Sequence, residues 1–338
     1  MNQNDIVVVF GASGFVGRHA VRTLARQGRR IRAVSRRPNL ANFLLPAGVV
    51  GQIQIVKGNI NEDEDVARAV QGAGAVVNAV GVLWGHGEDS FDAINAEAPR
   101  RIAAAARAAG IDSLVHVSAI GADPQAQSDY AESKGAGERD LREQFPQSVI
   151  LRPSLVFGPE DQFFNKFASL ARVLPALPLI GGGHTRFQPV WVADVAEAIL
   201  RTLTNEDARG RTYELGGPSI YTFEELLRFI LNETGRRRLL VPVPYWLASV
   251  KAVGLVAWNA VPEFFRQIFG VPSQAPLLTP DQVKLLKTDS VVHQGARTLA
   301  DLGIKPAALE QVVPDYLWRF RAKGQFGRGE TSTSDSTA

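Results

Sequence analysis

Three residues of types that handle a proton stand close together in mid-chain. Ser118 ends a short apolar run, and Tyr130 and Lys134 follow it four residues apart from each other. The apolar periodicity of 130–145 predicts a helix, which places Tyr130 and Lys134 on one face. An ammonium beside a phenol favours phenolate and lowers a pKa that is otherwise about 10. Tyr130 then becomes a proton donor or acceptor for a carbonyl/alcohol pair, with Ser118 hydrogen-bonding the substrate oxygen and Lys134 reaching ribose hydroxyls. A Tyr-x-x-x-Lys spacing is common, and an exposed helix pair without chemistry has the same spacing. The glycine run upstream is what favours a cofactor-side constellation.

That run is Gly11-Ala12-Ser13-Gly14-Phe15-Val16-Gly17. It falls where the first strand, Ile6–Phe10, should turn into the first helix. Glycines there permit a tight turn, close approach of backbone to a pyrophosphate, and close packing of helix on strand, while the helix N-terminus offers free N–H groups. Gly11, Ser13, Gly14, Phe15, Val16 and Gly17 are therefore candidate dinucleotide contacts. The end of the second strand selects the dinucleotide. A carboxylate there would bind a ribose 2′-hydroxyl, but the chain has Ser35-Arg36-Arg37, groups suited to a 2′-phosphate. Arg18 can add to the same pocket, so NADPH is the expected cofactor; a solvated basic turn is the bland alternative. Asn59 and Ile60, after the third strand, are expected near the adenine. Ala79, Val80 and Gly81, after the fourth, are expected beside the nicotinamide-side ribose.

The elements that must position these residues read clearly. Ile6–Phe10, Ile31–Ser35, Ile53–Lys57, Ala75–Val80, Leu114–Ser118 and Val149–Arg152 are expected strands, alternating with helical patterns at 15–28, 62–71, 92–110 and 130–145. Alternation of this kind implies right-handed crossovers and a doubly wound parallel α/β sheet of Rossmann type. Beyond Pro153 helical patterns dominate (160–174, 192–204, 222–235, 245–258, 279–287, 306–321). The expected organisation is a nucleotide-binding domain over 1–153, its sheet completed by later segments, a smaller, mostly helical lobe over 154–323 covering the cleft, and a disordered tail over 324–338.

Composition removes several alternatives. The 338 residues hold 37 basic and 34 acidic side chains, a net charge of +3, too balanced for a nucleic-acid binder. There is no cysteine, hence no disulfide, thiolate nucleophile or iron–sulfur ligation. Histidines 19, 86, 116, 184 and 293 show no metal-ligand spacing and are expected to be packing or surface residues. Met1 to Asp5 is short and polar, so no secretory leader is expected.

Together the glycine loop, Ser118, Tyr130, Lys134 and Arg152-Pro153-Ser154 resemble the extended and atypical branch of the short-chain dehydrogenase/reductase superfamily over about residues 6–320. In that family the tyrosine is the acid/base, the lysine orients the ribose, and the serine polarises the substrate, roles that the resemblance places on Tyr130, Lys134 and Ser118. A narrower resemblance rests on Phe10 to Arg18, on Arg152-Pro153-Ser154-Leu155-Val156-Phe157-Gly158-Pro159-Glu160-Asp161 running into Phe163 to Ala168, and on Phe187 to Val195. These segments are similar to the subgroup holding the NADPH-binding accessory subunit of respiratory complex I (NADH:ubiquinone oxidoreductase) and its bacterial relatives. The resemblance implies a structural nucleotide, with Pro153 and Ser154 among its contacts. It also implies other complex I subunits as partners near the quinone site, where peripheral and membrane arms join, on the cytoplasmic side of a bacterial inner membrane or the matrix side in mitochondria. Two other readings stay open: a free NADPH-dependent reductase or epimerase acting through Tyr130, and a nucleotide-sensing binding protein.

The 245–269 region is the remaining unusual stretch. Tyr245-Trp246 opens a helical pattern with almost no polar face, and Arg236-Arg237-Arg238 lies just upstream. A buried helix of the second lobe and a surface for membrane lipid or a membrane protein are both compatible with it. Pro242, Pro244, Lys251 and Pro262 interrupt or bound Leu239 to Val261, making it a poor membrane span.

Overall fold

The computed structural model describes residues 5–85, 87–246, 279–322 and 324. His86, nearly all of the 245–269 region and the tail beyond residue 324 lie outside the described residues.

Strand β1 (Ile6–Phe10) reads IVVVF, and its β-branched residues are suited to a strand covered on both faces. It is an inner strand of a parallel seven-stranded sheet with β2 (Arg30–Ser35), β3 (Ile53–Lys57), β4 (Ala75–Asn78), β5 (Ser113–Val117), β6 (Val149–Pro153) and β7 (Thr212–Leu215). The spatial order is β7-β6-β5-β4-β1-β2-β3, so the chain winds outward from β1 to β3 and then crosses back to β4. This is the expected doubly wound α/β sheet. The reversal between β1 and β4 opens a crevice at the carboxyl ends of the strands, the place where such sheets bind ligands.

Helices cover both faces. Val7 and Val9 point toward α1 (Phe15–Arg26) and α6 (Val192–Thr204), packing with Ala20, Val21, Leu24, Val195 and Ile199. Val8 and Phe10 point the other way, toward α2 (Asp63–Val70), α3 (Ala98–Ala108) and α4 (Asp129–Gln144), among Val66, Ile102 and Leu141. This alternation within β1 is the strand's two-residue period. Both β7 and α6 come from the second half of the chain and complete the sheet and its cover.

A separate core gathers Phe157, Phe164, Phe223, Leu226, Ile230 and Leu317 around α5 (Phe164–Val173) and α7 (Phe223–Glu233). Strand Ala176–Ile180 pairs in parallel with Leu239–Val243 beside it. The second lobe grips the outside of α1: Glu160 lies 2.9 Å from His19, 3.5 Å from Arg18 and 3.7 Å from Arg22.

Several element boundaries differ from expectation. The fourth strand ends at Asn78, where the side chain takes the Val80 N–H at 3.1 Å and turns the backbone out of the ladder. The 92–110 pattern divides into a π-helical turn, Asp92–Glu97, and α3, because Pro99 is accommodated only in a first helical turn. Pro314 likewise breaks the 306–321 pattern into short helices, Leu309–Val312 and Pro314–Leu317. The 160–174 helix begins only at Phe164, because Asp161 caps it by accepting the Phe164 N–H at 2.6 Å.

Candidate functional site

The glycine loop is built by two close approaches. Gly11 has φ +75°, and a Cβ there would stand 2.8 Å from the Ala79 carbonyl oxygen, so only glycine lets β1 turn against the chain leaving β4. Gly17 lies even tighter: a Cβ would stand 2.0 Å from the Gly11 oxygen. Helix α1 consequently starts directly over the turn. Its N-terminus has no side-chain cap and no acidic residue in the first turn. Unpartnered N–H groups with the positive end of a helix dipole form an anion cradle. Arg18 braces the loop by donating to the Ser13 carbonyl at 3.0 Å and the Gly14 carbonyl at 3.2 Å, and its guanidinium lies 4.7 Å from the Phe43 ring centroid.

The rim beyond β2 carries Ser35, Arg36 and Arg37. Ser35 is buried and its hydroxyl accepts the Arg37 N–H at 3.2 Å; both arginine side chains are exposed. Arg36 reaches across to Asp89 at 2.5 Å, a pair open to solvent and readily exchanged for another anion. After β3, Asn59 gives its N–H to Asp65 at 2.9 Å and accepts from the Asn61 N–H, while Ile60 is buried. That Asn59 hydrogen bond holds the Asp65 carboxyl below its usual range.

The crevice floor joins β4, β5 and α4. Tyr130 and Lys134 lie on α4, as the spacing predicts. Lys134 is buried and donates to the Val117 carbonyl at 3.3 Å; a Cβ on Gly81 would stand 2.8 Å from its Nζ. Gly81 therefore leaves room for the lysine. Burial pulls the Lys134 ammonium down to about 8, opposed by the nearby Glu138 carboxylate. Tyr130 departs from the sequence reading. Its phenol is pushed up to about 12 by burial, opposite in direction to the lowering that a neighbouring ammonium gives. Its ring meets Phe91 edge-on at 6.1 Å.

Ser118 is buried just past the end of β5, and its hydroxyl has no hydrogen-bond partner among the described residues. The same holds for Asn78 Nδ2 and for both ring nitrogens of His116, which is the register partner of Asn78. His116 is held well below its ordinary value, first by burial and then by the Lys134 charge, and is a neutral floor residue.

Pro153 and Ser154, two further expected contacts, each hold hydrogen bonds within the protein. Pro153 closes β6 and its carbonyl accepts the Ile120 N–H at 3.0 Å. The Ser154 hydroxyl donates to the Ser290 carbonyl at 2.5 Å and accepts the Gln188 N–H at 3.2 Å, fastening the second lobe. Gly158, four residues on, does come to the loop: a Cβ there would lie 3.3 Å from the Phe15 ring.

Sequence reasoning passed over Asn95. From the π-helical turn it accepts the Val82 N–H and donates to the Val82 carbonyl, both at 3.1 Å, and donates to Ser133 Oγ at 3.3 Å. It thereby ties the Ala79–Gly81 segment to α4. Its only signal in the sequence is an asparagine in an otherwise helical pattern, which has no meaning until the partner is known.

The cradle, the basic rim and the Ser-Tyr-Lys edge occupy one crevice at the switch point of a doubly wound sheet, which defines a nucleotide-binding protein of the short-chain dehydrogenase type. The chain belongs to the NAD dependent epimerase/dehydratase family, whose family model matches residues 7–216. Within that family it belongs with the complex I subunits. It is 32% identical over 319 residues to the mitochondrial NADH dehydrogenase [ubiquinone] 1 alpha subcomplex subunit 9 of Mus musculus, covering 94% of this chain and 80% of that protein. The NADH-ubiquinone oxidoreductase 40 kDa subunit of Neurospora crassa is 29% identical over 321 residues, with 94% and 80% covered. The fold is also that of the crystal structure of gox2253, with a TM-score of 0.69, 22% identity, and 95% and 99% of the two chains covered.

Proposed function

We propose that this chain is an accessory subunit of respiratory complex I that holds NADPH as a resident structural element at the junction of peripheral and membrane arms. The observation that carries this reading is similarity to the mitochondrial subunits over 94% of the chain, together with an intact phosphate cradle. The α1 N-terminus would take the pyrophosphate. Ser35, Arg36 and Arg37 would take the 2′-phosphate, in a rim that places no carboxylate at the end of β2. Asn78, Ser118, Tyr130 and Lys134 would take the ribose and nicotinamide end. Bound NADPH supplies a hydride donor in principle; for a structural role the same side chains need only hydrogen-bond it, and a protonated Tyr130 hydroxyl does so as a donor.

Peripheral membrane contact is part of the proposal. Among the described residues no helix is long and apolar enough to cross a membrane. Leu174, Leu239 and Val241 are exposed, and burial first, then the neighbouring Arg238 and Arg172 charges, pull the Arg236 guanidinium below its ordinary value. Apolar side chains rimmed by arginines suit a membrane surface carrying anionic headgroups.

The test is a mild-detergent pull-down of the tagged chain from native membranes, with subunit identification and a nucleotide assay. Recovery with complex I core subunits and about one NADPH per copy is the expected result; a small free species with exchangeable nucleotide overturns it. Ser118, Tyr130 and Lys134 on one crevice edge favour a second reading, an NADPH-dependent reductase or epimerase. For that reading, Tyr130→Phe abolishes turnover of a carbonyl substrate.

A further inference from the structure

The first turn of α4, which carries Tyr130, is held from far along the chain. Asp281 sets both carboxylate oxygens against it: Oδ1 accepts the Asp129 N–H at 2.8 Å, and Oδ2 accepts the Tyr130 N–H at 3.1 Å and the Ser128 hydroxyl at 3.0 Å. Lys284, one turn further along, pairs with Asp129 at 2.9 Å. Asp281 is itself fixed, since the helix Pro280–Leu285 begins with a capping box formed by Thr279 and Gln282. The other end of this short segment is fastened to the second lobe. The Leu286 carbonyl accepts from the Tyr245 hydroxyl at 2.9 Å and from the Thr185 hydroxyl, and Val283 packs on Ile180.

We propose that Asp281 is a positioning residue for the nucleotide site, setting Tyr130 and Lys134 through α4 and linking nucleotide occupancy to the seating of residues 279–286 between the two lobes. The proposal rests on the reading that the crevice takes NADPH. An ordinary local cap would be Ser128 alone, but its oxygen accepts the Ala131 N–H only at a long 3.4 Å, and its proton goes to Asp281. Without Asp281 the Asp129 and Tyr130 N–H groups lose their acceptor and the first turn frays. Tyr130 is the second residue of that helix and moves first; Lys134 lies a turn deeper. Linkage is reciprocal: a nucleotide that needs Tyr130 in place also stabilises the Asp281 contact.

The test uses the full chain with three variants, Asp281→Ala, Asp281→Asn and, as a control, Thr222→Ala. The control removes the capping box of α7, a helix of the second-lobe core that packs on α5. NADPH affinity is measured by titration well below the melting temperature. Asp281→Ala is expected to bind roughly tenfold more weakly, the size of a lost cap expressed as affinity. Asp281→Asn, which keeps one acceptor, falls between. Thr222→Ala lowers the melting temperature yet binds as the wild type does. In hydrogen exchange, NADPH slows the amides of 279–286 in the wild type but not in Asp281→Ala. Wild-type affinity in Asp281→Ala, or an equal loss in Thr222→Ala, overturns the proposal while leaving the NADPH reading intact. A wild-type chain that binds no NADPH overturns both.

Discussion

Replacing Gly17 by alanine tests the packing on which the cradle depends. The added Cβ would stand 2.0 Å from the Gly11 oxygen, 2.7 Å from its carbonyl carbon and 3.0 Å from the Ala12 Cα, all backbone atoms. Ordinary contact requires α1 to withdraw by roughly 1 Å, pulling Ala20, Val21 and Leu24 off the sheet in a close-packed interior. Overpacking of this kind costs about 1–3 kcal/mol, which for a chain of this length lowers the melting temperature by roughly 1–4 °C. The phosphate-facing N–H groups move with the helix, so NADPH affinity falls by at least about tenfold. Gly14→Ala separates the two effects. Gly14 is exposed with φ −73° and ψ 178°, which alanine adopts, and its Cβ would meet only the Gly11 oxygen, at 3.1 Å. Its melting temperature should stay near the wild type while binding weakens, because the methyl lies on the cradle. Thermal scans with and without NADPH, together with fluorescence titration, read both quantities. Equal destabilisation by the two variants, or wild-type binding by Gly14→Ala, refutes the reasoning.

Three further outcomes are expected. Lys134 is lowered from 10.5 to about 8, so between those values the unfolded chain binds more protons and nucleotide-free stability rises with pH. Lys134→Met should flatten that rise and add up to about 3 kcal/mol at neutral pH, while removing the loss of NADPH affinity expected as pH climbs through 8. Arg36→Ala with Arg37→Ala should narrow the preference for NADPH over NADH by about tenfold or more, checked by parallel titrations. Tyr130→Phe should leave assembly into complex I unchanged on native gels. Complete loss of assembly would mean that the hydroxyl is indispensable to the fold or the cofactor.

Much of this fold is visible in short stretches of sequence. Ile6–Phe10 followed by Gly11, Gly14 and Gly17 specifies a strand, a turn and a helix within a dozen residues, and the four-residue spacing of Tyr130 and Lys134 needs only a helix. These features are local, so periodicity and residue type reveal them. The protonation of Tyr130 was not legible in the same way, because spacing says that a lysine is near but nothing about how far water is excluded. The Ser154 bond to Ser290 is equally hidden, because its partner lies in another part of the chain. Asn95 and Asp281 left no usable signal. Each acts largely through backbone groups of remote segments, and any residue but proline supplies both a backbone N–H and a carbonyl.

The joining of α6 and β7 to the nucleotide half also constrains how the chain is made. Helix α1 has its cradle by residue 17, but the surface it rests on, α6, is not synthesised until Val192–Thr204, and the sheet's edge strand follows at Thr212–Leu215. A nascent chain ending after β6 carries Ala20, Val21 and Leu24 without Val195 and Ile199 of their shared core, and an open strand edge on β6. The nucleotide pocket therefore matures late in translation, after about two-thirds of the chain is made, and an interruption before that point releases a fragment prone to pair through that edge.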